Sequence, residues 1–244
     1  VPNQFFFEWL QSHYKETIEK EALYVFSEPL TIKYTVSPES GEATTASEES
    51  NFTQETRSAK KRVSTINEKY TFSNFIEGAH NEFAKAAALN VSESLGQQAF
   101  NPLVIYGGVG MGKTHLLHAI GNKVMNNTQQ KRIVCASSEK FTLDFISSIQ
   151  KNRTVEFSKS YRKADILLID DIQFFQGKEQ TQEQFFHTFN ELFQSGKQIV
   201  LTADRYPGEM VGLQDRLLSR FKSGLAVDIQ PPDFETRVAI VMEK

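Results

Sequence analysis

The sequence predicts an α/β protein, a parallel sheet with helices packed on its faces. Two observations predict it. From Tyr70 onward, short apolar runs alternate with helical segments, the pattern of strands joined by right-handed crossovers. One of these runs leads into a glycine-rich loop at 107–114, and another ends in the paired carboxylates Asp170 and Asp171. Ligands of open parallel sheets bind at the carboxyl ends of the strands, which is where both features fall.

The 244 residues suffice for one full α/β domain and something smaller. With 39% hydrophobic and 23% charged residues the composition is ordinary for a soluble globular protein. A net charge of −3 excludes a global basic excess, so any DNA contact must come from a local patch or from sequence outside this chain. The single cysteine, Cys135, excludes an intramolecular disulfide and fits a reducing cytosol. In its predicted buried strand it reads as a small hydrophobe. No apolar run reaches about 18 residues and no charged-then-apolar leader is present. The sequons at Asn51 and Asn90 are then chance matches. A cytoplasmic protein is expected, and the start at Val1 rather than Met predicts a fragment.

Residues 1–36 form the first expected piece. Pro2 stands at a helix start, Phe6, Trp9, Leu10, Tyr14 and Ile18 recur at helical spacing, and Leu30, Ile32, Tyr34 and Val36 alternate as in a half-buried strand. One helix and one strand cannot bury a core, so this is a partial small α+β domain or a module completed elsewhere. Residues 37–68 are expected to be a flexible linker. Ser37 to Glu55 is rich in Ser, Thr, Glu, Gly and Ala, and a basic run follows at Arg57, Lys60, Lys61 and Arg62. Too little apolar surface is available there to offset chain entropy.

The third piece, 69–244, holds the strand candidates Leu103–Tyr106, Arg132–Ala136, Ile166–Asp170, Ile199–Ala203 and Leu225–Ile229. Several are continuous apolar runs, as parallel strands covered on both faces require. Between the first strand and the next helix lies Gly107-Gly108-Val109-Gly110-Met111-Gly112-Lys113-Thr114, a phosphate-binding loop of the form G-x-x-x-x-G-K-[ST]. Its glycines permit a turn whose amides face phosphate oxygens, and the following helix adds its positive end. Lys113 neutralises the β/γ-phosphates of ATP, and the Thr114 hydroxyl ligates Mg²⁺. That helix presents Leu116, Leu117, Ile120 and Val124 as one apolar face.

The buried strand ending in Asp170-Asp171 delivers acid to the same edge. Asp170 is expected to hold Mg²⁺ and Asp171 to orient or deprotonate the attacking water. A third run, Ile199 to Asp204, ends in polar groups; Asp204 or Thr202 is placed to sense a γ-phosphate, or to cap the next helix. Arg216 and Arg220 stand at i and i+4 on one helix face, either a solvated stripe or a cation that reaches a neighbouring subunit's γ-phosphate. Phe185, Phe189, Leu192 and Phe193 form a helical stripe expected in the core. His115 and His118 lie at i and i+3, but no Cys or third His is near enough in sequence to close a metal site.

Taken together these segments resemble the bacterial replication-initiator family, the DnaA branch of the AAA+ ATPases. Asn101–Asn122 is similar to that family's phosphate-loop segment almost throughout, and "LLIDDIQFF" (167–175), "EQFFHTFN" (183–190), "LTADRYP" (201–207), "DRLLSRF" (215–221) and "PPDFETRVAI" (231–240) follow in the family's order. "VPNQFFFEW" (1–9) resembles the middle of its N-terminal interaction domain. The resemblance implies an ATP-dependent initiator of chromosomal replication, whose ATP-bound protomers oligomerise on origin DNA, open the duplex, recruit the replicative helicase and are switched off by slow hydrolysis. It implies an ATP site at Gly107, Gly108, Gly110, Met111, Gly112, Lys113 and Thr114, Mg²⁺ on Thr114 and Asp170, and water handling by Asp171. It also implies Asp204 as first sensor and Arg220 as an arginine finger acting on the next protomer. By the same resemblance, "YTFSNFIEG" (70–78) walls the adenine with Tyr70, Phe72 and Phe75, though these aromatics suit a plain core equally. An extra helix in 139–162 helps build the filament and its single-strand channel, where Ile146 and Lys178 contact DNA. Phe5 contacts the helicase, and acidic phospholipid is a further implied partner.

The sequence departs from the family at Gln180, where some members have arginine, and at Lys222-Ser223 after "SRF". The resemblance further implies a second sensor arginine and a helix-turn-helix beyond Lys244. The alternatives are an AAA+ helicase loader or transposition helper, a small-molecule kinase, which leaves "DRLLSRF" without a purpose, and a non-catalytic regulator, which leaves Lys113, Thr114, Asp170 and Asp171 without one.

Overall fold

A computed structural model of the chain describes residues 66–127 and 131–243. The expected N-terminal piece, Phe5 and the linker up to residue 65 lie outside the described residues.

Five strands form one parallel sheet: β1 (Leu103–Gly107), β2 (Ile133–Ser137), β3 (Ile166–Asp170), β4 (Gln198–Ala203) and β5 (Leu225–Ile229). Their order is β2-β3-β4-β1-β5. The register sets Ile169 beside Leu201 and Ile105 beside Thr202, so the carboxyl ends of β3, β4 and β1 finish together.

Strand alternation sorts the side chains between two layers. On one face, Val104, Leu167, Ile169, Ile199, Leu201 and Ala203 enter a core with α3 (Ser138–Gln150), α4 (Thr154–Arg162), α5 (Glu179–Gln194) and α6 (Asp215–Phe221). On the other, Leu103, Ile105, Ile166, Leu168 and Val200 meet α1 (Glu82–Glu93) and α2 (Lys113–Asn127). The last helix, α7 (Phe234–Glu243), follows β5. Among the described residues no helix is long and apolar enough to cross a membrane.

Three details differ from the expectation. The stretch 139–162 is not one helix but the pair α3 and α4. Asn152 breaks it with φ +52, and the Asn152 and Arg153 amides donate back to the Ile149 and Ser148 carbonyls. Asn tolerates this left-handed position, which closes α3 with a Schellman turn. Second, packing begins ahead of residue 69: Ile66 lies against the core under α2, and a Cβ on Gly121 would sit 2.7 Å from its Cδ1. Third, Phe193 is only partly buried, whereas Phe185, Phe189 and Leu192 are fully inside.

Candidate functional site

The loop 107–114 joins β1 to α2. Gly107, Gly110 and Gly112 adopt φ of +152°, +78° and +96°, conformations that L-residues with a Cβ seldom take. At Gly107 a Cβ would also meet the Ile229 carbonyl oxygen of β5 at 2.4 Å. Lys113, the first residue of α2, is buried, and its Nζ donates to the carbonyls of Gly107 (2.9 Å) and Gly108 (2.7 Å). The loop therefore ends on a helix N-terminus with an ammonium folded against its own backbone, the combination that attracts anions.

Alternation explains what converges next. Asp170 continues the Ile166–Leu168 face of β3, and Thr202 continues the Val200 face of β4, so both look toward α2. The Thr114 hydroxyl donates to Asp170 Oδ2 at 2.9 Å. Asp170 Oδ1 accepts a very short hydrogen bond from the Thr202 hydroxyl. Thr202 Oγ1 in turn accepts the Asp171 amide at 2.8 Å. Asp171 itself is left-handed, at φ +56° and ψ +58°, a conformation costing a non-glycine residue about 1–3 kcal/mol. Its carbonyl accepts from Ser138 Oγ at 2.6 Å and its Oδ1 accepts from Gln173 Nε2 at 2.9 Å. Among the described residues, no protein donor reaches its Oδ2.

Hard oxygen donors, a hydroxyl and a carboxylate in hydrogen-bond contact, suit Mg²⁺. No group of three or more His, Cys, Asp or Glu residues forms a metal cage among the described residues.

The other expected residues stand apart from this network. Asp204 is tied to its neighbour Arg205, which donates from Nη2 at 2.9 Å and from Nε at 3.2 Å to both oxygens. Thr202, not Asp204, bridges the two acids. Arg220 is half-buried on α6, its guanidinium 5.9 Å from the Phe193 ring centre, and it makes no ion pair among the described residues. Arg216 lies 4.6 Å from the Phe186 ring centre. Ile146 on α3 is 45% exposed, and Lys178, just before α5, is exposed. Met111 packs at the margin of the α1/α2 core.

A second set of residues, missed as a set, lines one stripe of α2. His115 Nε2 donates to the Thr71 carbonyl (2.8 Å), His118 Nδ1 accepts the Asn67 amide (3.1 Å), and Asn122 donates to the Asn67 and Tyr70 carbonyls (2.9 and 2.7 Å). Tyr70 and Phe75 flank His115, with ring centres 4.9 and 5.2 Å away. These histidines fasten the segment 67–75 to the helix that carries Lys113 and Thr114. Burial lowers the pKa of both. The spacing 115, 118, 122 was visible in the sequence; the main-chain partners were not.

Residues 66–228, more than half of the chain, match the family described as the bacterial DnaA ATPase domain. The chain belongs to this DnaA family. It is 50% identical to domain III of the replication initiation protein DnaA from Thermotoga maritima, with a TM-score of 0.71 over 73% of this chain and 74% of that one. DnaA from Aquifex aeolicus bound to AMPPCP is 42% identical, with a TM-score of 0.69 over 73% of this chain and 55% of that chain. A replication initiator DnaA bound to AMPPCP and single-stranded DNA gives the same figures. The chain thus spans about half the length of these last two DnaA proteins, and its parallel sheet with flanking helices is the AAA+ arrangement of the family.

Proposed function

We propose that this DnaA-family chain binds ATP with Mg²⁺ at 107–114 and uses the bound nucleotide to switch the assembly of an initiator on origin DNA. The observation that carries the reading is the meeting of Lys113, Thr114 and Asp170 at the carboxyl edge of β1 and β3. Lys113 exchanges the Gly107 and Gly108 carbonyls for β/γ-phosphate oxygens, which are charged and therefore stronger acceptors. Gly110, Met111 and Gly112 form the turn over the phosphates. Thr114 and Asp170 would hold Mg²⁺, which neutralises phosphate charge when bound. Asp171 takes a proton from water as the water oxygen bonds to the γ-phosphorus. The bond to the β-phosphate oxygen breaks, and ADP and phosphate leave. Hydrolysis is slow and serves as an off-switch. The AMPPCP-bound relatives, at 42% identity, support this reading.

In the same reading, residues 1–36 and the linker after them precede an AAA+ domain whose packing starts by Ile66. Arg220 acts on the next protomer, Asp204 reports on the γ-phosphate through its pairing with Arg205, and Ile146 and Lys178 face a single strand. Phe5 meets the replicative helicase.

Two variants test the assignment together. Lys113→Ala should weaken ATP binding about 10- to 100-fold, the range of a lost charge-assisted hydrogen bond. Asp171→Asn should bind ATP normally but hydrolyse it about 100-fold more slowly or worse. Calorimetry and single-turnover hydrolysis separate the steps. Unchanged affinity in Lys113→Ala removes the loop from nucleotide binding, and normal hydrolysis in Asp171→Asn removes the base.

A further inference from the structure

We propose that the hydroxyls of Thr202 and Ser138 form a clamp on the Asp171 peptide, and that this clamp, not the Asp171 side chain alone, fixes the rate of hydrolysis. The proposal rests on the reading of Asp171 as the group that handles water.

Both hydroxyls are fully buried. They come from different elements: Thr202 from β4 and Ser138 from the first position of α3. One accepts the Asp171 amide at 2.8 Å, and the other donates to the Asp171 carbonyl at 2.6 Å. The peptide groups on both sides of the Asp171 Cα are thereby held. Asp171 lies past the last ladder pair of β3, and its carbonyl also accepts the Phe174 amide of the 3-10 turn Ile172–Phe175 at 3.1 Å, so the two side-chain hydroxyls add to that turn in keeping its backbone left-handed.

Each hydroxyl is itself fixed. Thr202 spends its one proton on Asp170, so only its lone pairs remain for the Asp171 amide. The Ser138 carbonyl accepts from Thr142 Oγ1 at 2.8 Å, which seats the start of α3. Through Thr202 the carboxylate assigned to the cation and the peptide assigned to the water share one oxygen. Moving either displaces the other. Thr202 and Ser138 both contact the Asp171 peptide, and the clamp assigns them as positioning residues that act through Asp171.

The test uses the whole chain with Mg²⁺ and ATP, and compares Thr202→Val, Thr202→Ser and Ser138→Ala. Valine keeps the shape of threonine and removes both hydrogen bonds; serine keeps them. The clamp predicts near-parental ATP affinity in all three variants. It predicts hydrolysis of bound ATP slowed about 100-fold in Thr202→Val, since a displacement of about 1 Å costs that much. Thr202→Ser should stay within about threefold of the parent, and Ser138→Ala should slow hydrolysis about tenfold, one hydrogen bond's worth. Parental hydrolysis in Thr202→Val or in Ser138→Ala overturns the proposal, as does equal loss in the serine and valine variants. If Thr202→Val does not fold, the serine and Ser138→Ala rates decide on the same terms. If Asp171→Asn hydrolyses ATP normally, the reading of the site fails first, whatever the clamp variants do.

Discussion

At Nδ1, His118 accepts the Asn67 amide, and a ring nitrogen that accepts cannot carry a proton. Burial lowers its pKa, Asp170 pulls in the opposite sense, and His115 adds to the lowering. The folded pKa therefore lies below the unfolded one. As pH falls, the unfolded chain takes up the proton first, so this contribution to stability is complete above about pH 6.5 and is lost progressively below it. Melting temperature should decline as pH drops through that range, and His118→Gln should flatten the decline. An equal slope in both proteins would assign the pH dependence to other groups. Neither histidine was legible as a fastener, because an i, i+3 pair on a helix says nothing of which backbone it faces. Thr202 was nearer to legible: it was one of two candidates at the end of its strand, and period-two alternation places it on the Asp170 side. The sequence alone could not show that Thr202 bridges Asp170 and Asp171 while Arg205 pairs with the Asp204 carboxylate.

The strands were readable because several are continuous apolar runs ending at one sheet edge, and the phosphate loop because its glycines mark positive φ. The α3–α4 break was not, since a single Asn at φ +52° closes α3 without proline or glycine. Across this break the two helices are held by aromatic packing. Phe141 of α3 is fully buried, and its ring centre lies 5.2 Å from Phe157, 4.8 Å from Tyr161 and 5.4 Å from Phe185. Phe141→Ala should cost about 3–5 kcal/mol in denaturant unfolding. Ile146→Ala, on the exposed side of the same helix, should cost no more than about 1 kcal/mol and should weaken binding of single-stranded DNA. Measuring both properties in both variants separates a packing role from a contact role. A normal affinity for single-stranded DNA in Ile146→Ala would remove that contact from the reading.

At the scale of the proposed assembly, the residue to test is Arg220. It lies half-buried over Phe193 and makes no ion pair among the described residues. Arg220→Ala should leave ATP affinity unchanged and melting temperature nearly so, yet abolish ATP-dependent assembly in the full-length protein, because a guanidinium fork on a neighbour's phosphate has no substitute. Sedimentation with and without ATP checks this. Undiminished assembly would return Arg220 to the solvated stripe that its spacing first suggested, and would leave the multi-subunit switch without its main residue.

The fastening of 67–71 to α2 has a mechanical side. The chain enters the domain through a short strap laid along the same helix whose first turn closes the phosphate loop. A pull on Ile66 from its N-terminal side would be borne first by the packing of Ile66 under Gly121, then by the His118 and Asn122 hydrogen bonds, and beyond them by the packing of Phe75 against His115 and Gly112. Load would thus enter through α2, the helix whose first turn closes the phosphate loop. A strap on the helix of the phosphate loop makes that helix the mechanical entrance of the domain.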